Sequence, residues 1–211
     1  MKKLLISLML LVSTQAQALH VQNEEASISI TTDKVSHIVG DIDHTLLSKW
    51  GIEFEKTKNL VGPRVIIINS SGGEFEVGNK ILKDIKQEQA QGVKMICIMD
   101  VQASSMAFNI LSHCDVRLAT EGSAGVVHKI RLYGIFTQET AKQLRELANE
   151  IDREDEPFRR KNAKEMHLSL NEYDYWADKE SRWTAETLHA RKYIHGFVKM
   201  QTKKQGIGEK K

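Results

Sequence analysis

The chain has 211 residues, 30 basic against 28 acidic side chains, eight histidines and two cysteines, with an apolar share of 41% that suffices for the core of one ordinary domain. Two of its lysines stand at the very start: Met1-Lys-Lys3, the apolar stretch to Val12 and the small residues of Ala16-Gln-Ala18 follow the order of a secretory signal, with cleavage expected after Ala18. Without that leader the charges balance, which argues against a nucleic-acid partner because phosphate contacts need a basic face. The apolar run is also short for a bilayer span.

The expected plan is therefore a signal over residues 1–18, one α/β domain over 19–200 and a flexible Lys-rich tail over 201–211. Polar residues with slight alternation (Ile28, Ile30) suggest an edge strand, and Val35 to Gly40 reads as a second. Asp41 or Asp43 then caps a helix with Leu46, Leu47, Trp50 and Phe54 on one face. Arg64-Val-Ile-Ile-Ile-Asn69 is β-branched throughout, as a central parallel strand is. It runs into Ser70-Ser-Gly-Gly73, where paired glycines let the backbone approach a ligand and aim N–H groups at it. Val77, Ile81 and Ile85 mark a helix that stops at Gly92.

Val93 to Met99 is a nearly unbroken apolar run of strand length, and Met106, Ala107, Ile110 and Leu111 restart the pattern at helical spacing. Ser105 is the pivot between them. A serine in such a turn projects its hydroxyl at the carboxyl edge of a sheet, beside the unpaired N–H groups of a helix start, although Ser104 or Ser105 also suits a plain N-cap. Asp115 to Ala119 and Gly125 to His128 read as strands, the second ending in a histidine. From Thr137 a long charged helix carries Ala141, Leu144, Ala148 and Ile151 on one side, and Pro157 is expected to kink or end it. Two helices follow, about 171–179 and 184–195. Cys97 in mid-strand and Cys114 at the end of the next helix are expected to lie beyond the ~7 Å reach of a disulfide, as two buried free thiols.

A hydroxyl, a histidine and a late carboxylate suit acyl transfer. The hydroxyl needs a base, histidine titrates near neutrality, and a carboxylate fixes its tautomer. The N–H groups of Gly72 and Met106 are candidate oxyanion donors. The remaining histidines show no HExxH or close pairing, so neither metal nor cofactor is expected. Trp50, Trp176 and Trp183 read as packing residues on helices.

Asn69-Ser-Ser-Gly-Gly73, Gln102-Ala-Ser-Ser-Met106 and Val126-Val-His128, in this order and spacing, resemble the proteolytic subunit of Clp protease and its relatives in the ClpP/crotonase superfamily, over about residues 35–198. The resemblance implies repeated β-β-α units on a parallel sheet, a long helix in the C-terminal half and a helical end. It implies Ser105 as nucleophile, His128 as general base, and Gly72 with Met106 as oxyanion donors. Alignment through Ser169-Leu170 and Thr184-Ala185 puts Glu180 at the third triad position, with Asp178 two residues earlier as the alternative. Gly73, Glu74, Lys129 and Ile130 are expected to flank an extended peptide by strand addition, together with Phe75 and Leu132.

The expected activity is serine endopeptidase cleavage of peptides or unfolded proteins by a homo-oligomer. An exported enzyme meets neither ATP nor an ATP-driven unfoldase, so the cleavage is expected to be ATP-independent. The alternatives are a catalytically inactive scaffold of the same fold and a crotonase-like acyl-thioester enzyme.

Overall fold

Strands without a polar face must be covered on both sides, and the apolar runs of residues 65–68 and 95–99 take neighbouring places inside the sheet. The structure, a computed structural model, describes residues 18–23, 26–31, 34–58, 60–131 and 139–199. The leader before Ala18, the tail from 201, Leu132 and Thr137 fall outside them. β1 (Ala18–Asn23) and β2 (Ala26–Thr31) form an antiparallel pair. β3 (Val35–Ile42), α1 (His44–Thr57), β4 (Arg64–Gly73), α2 (Phe75–Ala90), β5 (Met95–Ser104), α3 (Met106–Ser112) and β6 (Val116–Ala119) then alternate strand and helix. β3-β4-β5-β6 lie side by side and parallel.

The main core lies between this sheet and its helices, around Trp50, Ile66, Ile68, Ile81, Met99 and Phe108. Val65, Ile96, Ile98, Leu118 and Val198 form a smaller cluster. Alternate residues of β4 and β5 thus enter different clusters, as the period of two requires. Asp43 caps α1 by accepting from Leu46 N–H at 2.7 Å, and Trp50 Nε1 donates to Asp84 at 2.9 Å.

β7 (Ala124–Val127) pairs with the far end of β5, where Ser104 faces Val126, and with antiparallel β8 (Ser181–Thr184). α4 (Ala141–Glu165), α5 (Leu170–Asp178), α6 (Ala185–Ala190) and β9 (Gly196–Phe197) complete the chain, with β9 parallel to β6.

Several expectations are corrected. Pro157 does not end the long helix: α4 runs through it for 25 residues. Proline removes a single helical donor, and Phe158, Asn162 and Ala163, all buried just beyond it, anchor the continuation in the core. Residues 184–195 are not one helix: α6 stops at Ala190, and Tyr193 N–H donates to Leu188 O as the chain turns back toward β6. Trp183 lies on β8 rather than on a helix.

Cys97 and Cys114 are not free thiols either. α3 has just seven residues, so the chain returns at once to the start of β5. There Met95 N–H donates to the Asp115 carboxylate at 2.8 Å and Asp115 N–H to Met95 O at 3.0 Å. This return brings the two cysteine Cα atoms to 5.8 Å, and they form a disulfide.

Candidate active site

Ser105 follows the last residue of β5 and precedes α3, and its φ of 55° and ψ of −124° lie where side chains are strained. Its carbonyl accepts from Phe108 and Asn109 N–H at 3.0 and 3.1 Å, while its hydroxyl makes no capping bond. The N-cap position is therefore occupied without the side chain being used as a cap. Met106 opens α3, and its N–H has no acceptor within the helix.

Two glycines permit this turn. A Cβ on Gly72, whose φ is 101°, would lie 2.6 Å from Ser105 Cβ and 2.7 Å from Ser104 O. A Cβ on Gly78 of α2 would lie 2.2 Å from the Met106 side chain, which is seated there. The paired glycines are the end of β4 itself, opposite Asp41 and Ile42 of β3, and not a loop beyond the strand.

The sheet register sets His128 on the same cavity as the serine. Ser105 N–H donates to Val126 O at 2.9 Å, two residues before His128. His128 Nδ1 lies 2.7 Å from Lys129 O. A carbonyl oxygen can only accept, so Nδ1 carries a proton, and in the neutral imidazole the lone pair is on Nε2.

A cavity of about 480 Å³ is lined by Ser105, Met106, Gly72, Gly73, Glu74, Ile130 and His128. Of the residues expected there, Lys129, Glu180 and Asp178 are not in its lining. Glu180, at a φ of 50°, ion-pairs with Arg131, and Asp178 pairs with Lys129 at 2.8 Å. Gly72 N–H donates to Ser70 Oγ at 3.1 Å, so this donor is engaged in the present conformation.

Four residues that the sequence did not assign to the site also line the cavity: Asp41, read there as a possible helix cap, Ser71 of the glycine motif, Asn109 and Arg131. Asp41 accepts from the Ser71 hydroxyl at 2.7 Å and ties β3 to the glycine strand. Asn109 accepts from Asn162 Nδ2 at 2.8 Å, which also donates to Tyr173 Oη at 2.8 Å. Asn162 is fully buried, so α3, α4 and α5 meet in one polar junction. Burial drives the Tyr173 hydroxyl well above its ordinary pKa despite the Asn162 bond, so it stays protonated. The signal for this junction was an asparagine one turn into α3, which sequence alone does not separate from a surface residue. A larger, more open groove of about 690 Å³ along α4 is lined by charges such as Glu146, Asp152 and Arg153 and holds no serine or cysteine.

The profile of the Clp protease family matches residues 23–193. Among solved structures, a point mutant of ClpP1 from Listeria monocytogenes is similar to this chain at 18% identity, with a TM-score of 0.66 over 79% of this chain and 91% of that one. No curated protein sequence matches.

Proposed function

The chain belongs to the Clp protease family, and on that premise we propose that it is a serine endopeptidase with Ser105 as nucleophile and His128 as general base. The observation that carries this reading is an uncapped serine hydroxyl at a strained turn, lining one cavity with a histidine whose Nδ1 is bonded to Lys129 O, which leaves Nε2 as the basic nitrogen of the neutral ring. Ser105 Oγ attacks the peptide carbonyl as its proton passes to Nε2. The imidazolium returns that proton to the leaving amine, and water then splits the acyl ester by the same route. Met106 N–H receives the oxyanion, and Gly72 N–H joins it on exchanging Ser70 Oγ for substrate oxygen.

Substrate peptides would lie extended between Gly73-Glu74 and Lys129-Ile130. The leader-like start supports export, as does the Cys97–Cys114 disulfide, a bond characteristic of oxidising compartments. Cleavage is then independent of ATP and of an unfoldase. Leu144, 42% exposed, with Leu147 and Ile151 part-buried on α4, supports a homo-oligomer in which a second copy covers this side.

The engaged Gly72 N–H and the ion-paired Glu180 favour a second reading, a catalytically inactive scaffold. Incubation of the mature protein with an unstructured protein, without nucleotide, separates the two. The proposal expects fragments with wild type and none with Ser105→Ala; absence of cleavage by folded, assembled wild type would favour the scaffold.

A further inference from the structure

Of the seven residues of α3, Asn109 is the one that is not buried, and it lines the cavity of Ser105. Its N–H donates to Ser105 O at 3.1 Å, so it stands one helical turn beyond the serine and on the same side. Asparagine is a poor helix former, and propensity does not account for it here.

Its side chain is fixed in one orientation. Asn162, fully buried, receives the Ser112 hydroxyl on Oδ1 and directs its two N–H bonds to Asn109 Oδ1 and Tyr173 Oη, both at 2.8 Å. Asn109 Oδ1 is thereby turned toward α4, and the end left for the cavity is the Nδ2 group, with Met106 Sδ at 4.0 Å. A thioether is a weak acceptor, so this donor keeps most of its hydrogen-bonding capacity. The other lining residues select among acceptors. Asp41 and Glu74 are acidic, and the Arg131 guanidinium is already paired with Glu180. A carboxylate entering the cavity would meet like charge, whereas a neutral carbonyl oxygen would not. Met106 and Ile130 supply an apolar wall for methylene groups.

Resting on the reading of Ser105 and His128 given above, we infer that this site prefers peptides with a carboxamide side chain, glutamine or asparagine, on the acyl side of the scissile bond. With the peptide carbonyl on Ser105 Oγ and its oxygen at Met106 N–H, the adjoining side chain enters the cavity over the first turn of α3. Its carboxamide oxygen accepts from Asn109 Nδ2, which the bond to Asn162 holds in place. An apolar residue leaves that donor unpaired, a loss of about ten- to a hundredfold in rate.

The test uses the mature full-length chain and four fluorogenic peptides of otherwise identical sequence, with glutamine, glutamate, leucine or lysine before the cleaved coumarin amide. Preferences are read as ratios of kcat/KM within one variant, so a change in overall activity cancels. Wild type is expected to cleave the glutamine peptide about ten- to a hundredfold faster than the leucine peptide, and faster than the glutamate peptide by a smaller factor. Asn109→Asp keeps an acceptor for Asn162 but puts an acceptor where the cavity had a donor; it is expected to abolish the glutamine preference and raise cleavage after lysine. Asn109→Leu is expected to move the preference to leucine.

Leucine, lysine or glutamate peptides cleaved by wild type as fast as the glutamine peptide, or a glutamine preference unchanged in folded Asn109→Asp and Asn109→Leu, would overturn the inference. An alkyl fluorophosphonate, which carries no peptide side chain, separates the two failures. Wild type that it acylates but that shows no glutamine preference refutes this inference alone; folded wild type that it never acylates removes the protease reading and the inference with it.

Discussion

Ser105 and His128 line the same cavity, yet the chain holds them by opposite means. The serine stands between a strand and a helix whose residues are nearly all buried. Gly72 is pressed against it, Gly78 receives the neighbouring Met106, and the Cys97–Cys114 disulfide closes the loop that contains it. The histidine leaves the end of a four-residue strand for an irregular segment, Lys129 to Arg131, held by side-chain ion pairs. The nucleophile is fixed by packing and the base by polar contacts. Packing is insensitive to pH and salt, whereas exposed ion pairs are weakened by both, so the two halves should fail under different treatments.

The largest effect is expected on the packed half. In Gly72→Ala the added methyl meets Ser105 Cβ and Ser104 O at a positive φ, and strain and overpacking together cost about 4 kcal/mol. Thermal denaturation should register this loss, and acylation of Ser105 should fall with it. Next comes the disulfide, whose cysteines are 17 residues apart: its reduction, or the double variant Cys97→Ser/Cys114→Ser, should lower unfolding free energy by about 3 kcal/mol in a denaturant titration.

A polar contact on α4 should respond to pH. Burial pushes the Asp155 carboxyl above its ordinary value, against the pull of Arg159. The folded state thus keeps this proton to higher pH than the unfolded chain does, so the contribution is full below the unfolded value and is lost as pH rises through the folded one. Unfolding measured across pH 4 to 7 should therefore show the stability of wild type minus that of Asp155→Asn falling as pH rises; a difference independent of pH would contradict this assignment. The smallest effect is expected for Asp178→Asn, which removes an exposed ion pair with Lys129 and should cost under about 1 kcal/mol, less still at high salt.

The same division explains what could be read from the sequence. Periodicity speaks for buried faces, so the alternation from β3 to β6 and the turn at Ser105 were legible, because apolar runs mark them directly, whereas the contact of Gly72 with Ser105 was not. The disulfide was misjudged because the return after α3 depends on a helix of seven residues and on Asp115 bonding Met95, neither of which a strand-helix pattern specifies. The continuation of α4 through Pro157 was hidden because burial of Phe158 and Asn162 on its far side overrides a local preference. The third acid was the least accessible. Alignment finds the position of Glu180, but its pairing with Arg131 arises from how the turn after α5 meets the segment after β7. Nothing in the local sequence encodes that packing.

Activation of Ser105 by His128 can be read from the chemistry of the serine itself. Intact-mass spectrometry of the mature protein after exposure to a fluorophosphonate tests it most directly, with Ser105→Ala and His128→Ala treated in parallel. A single adduct is expected on wild type, located at Ser105 and missing from both variants. An adduct that persists in His128→Ala at the wild-type rate, or no adduct on folded wild type at any pH, would contradict it.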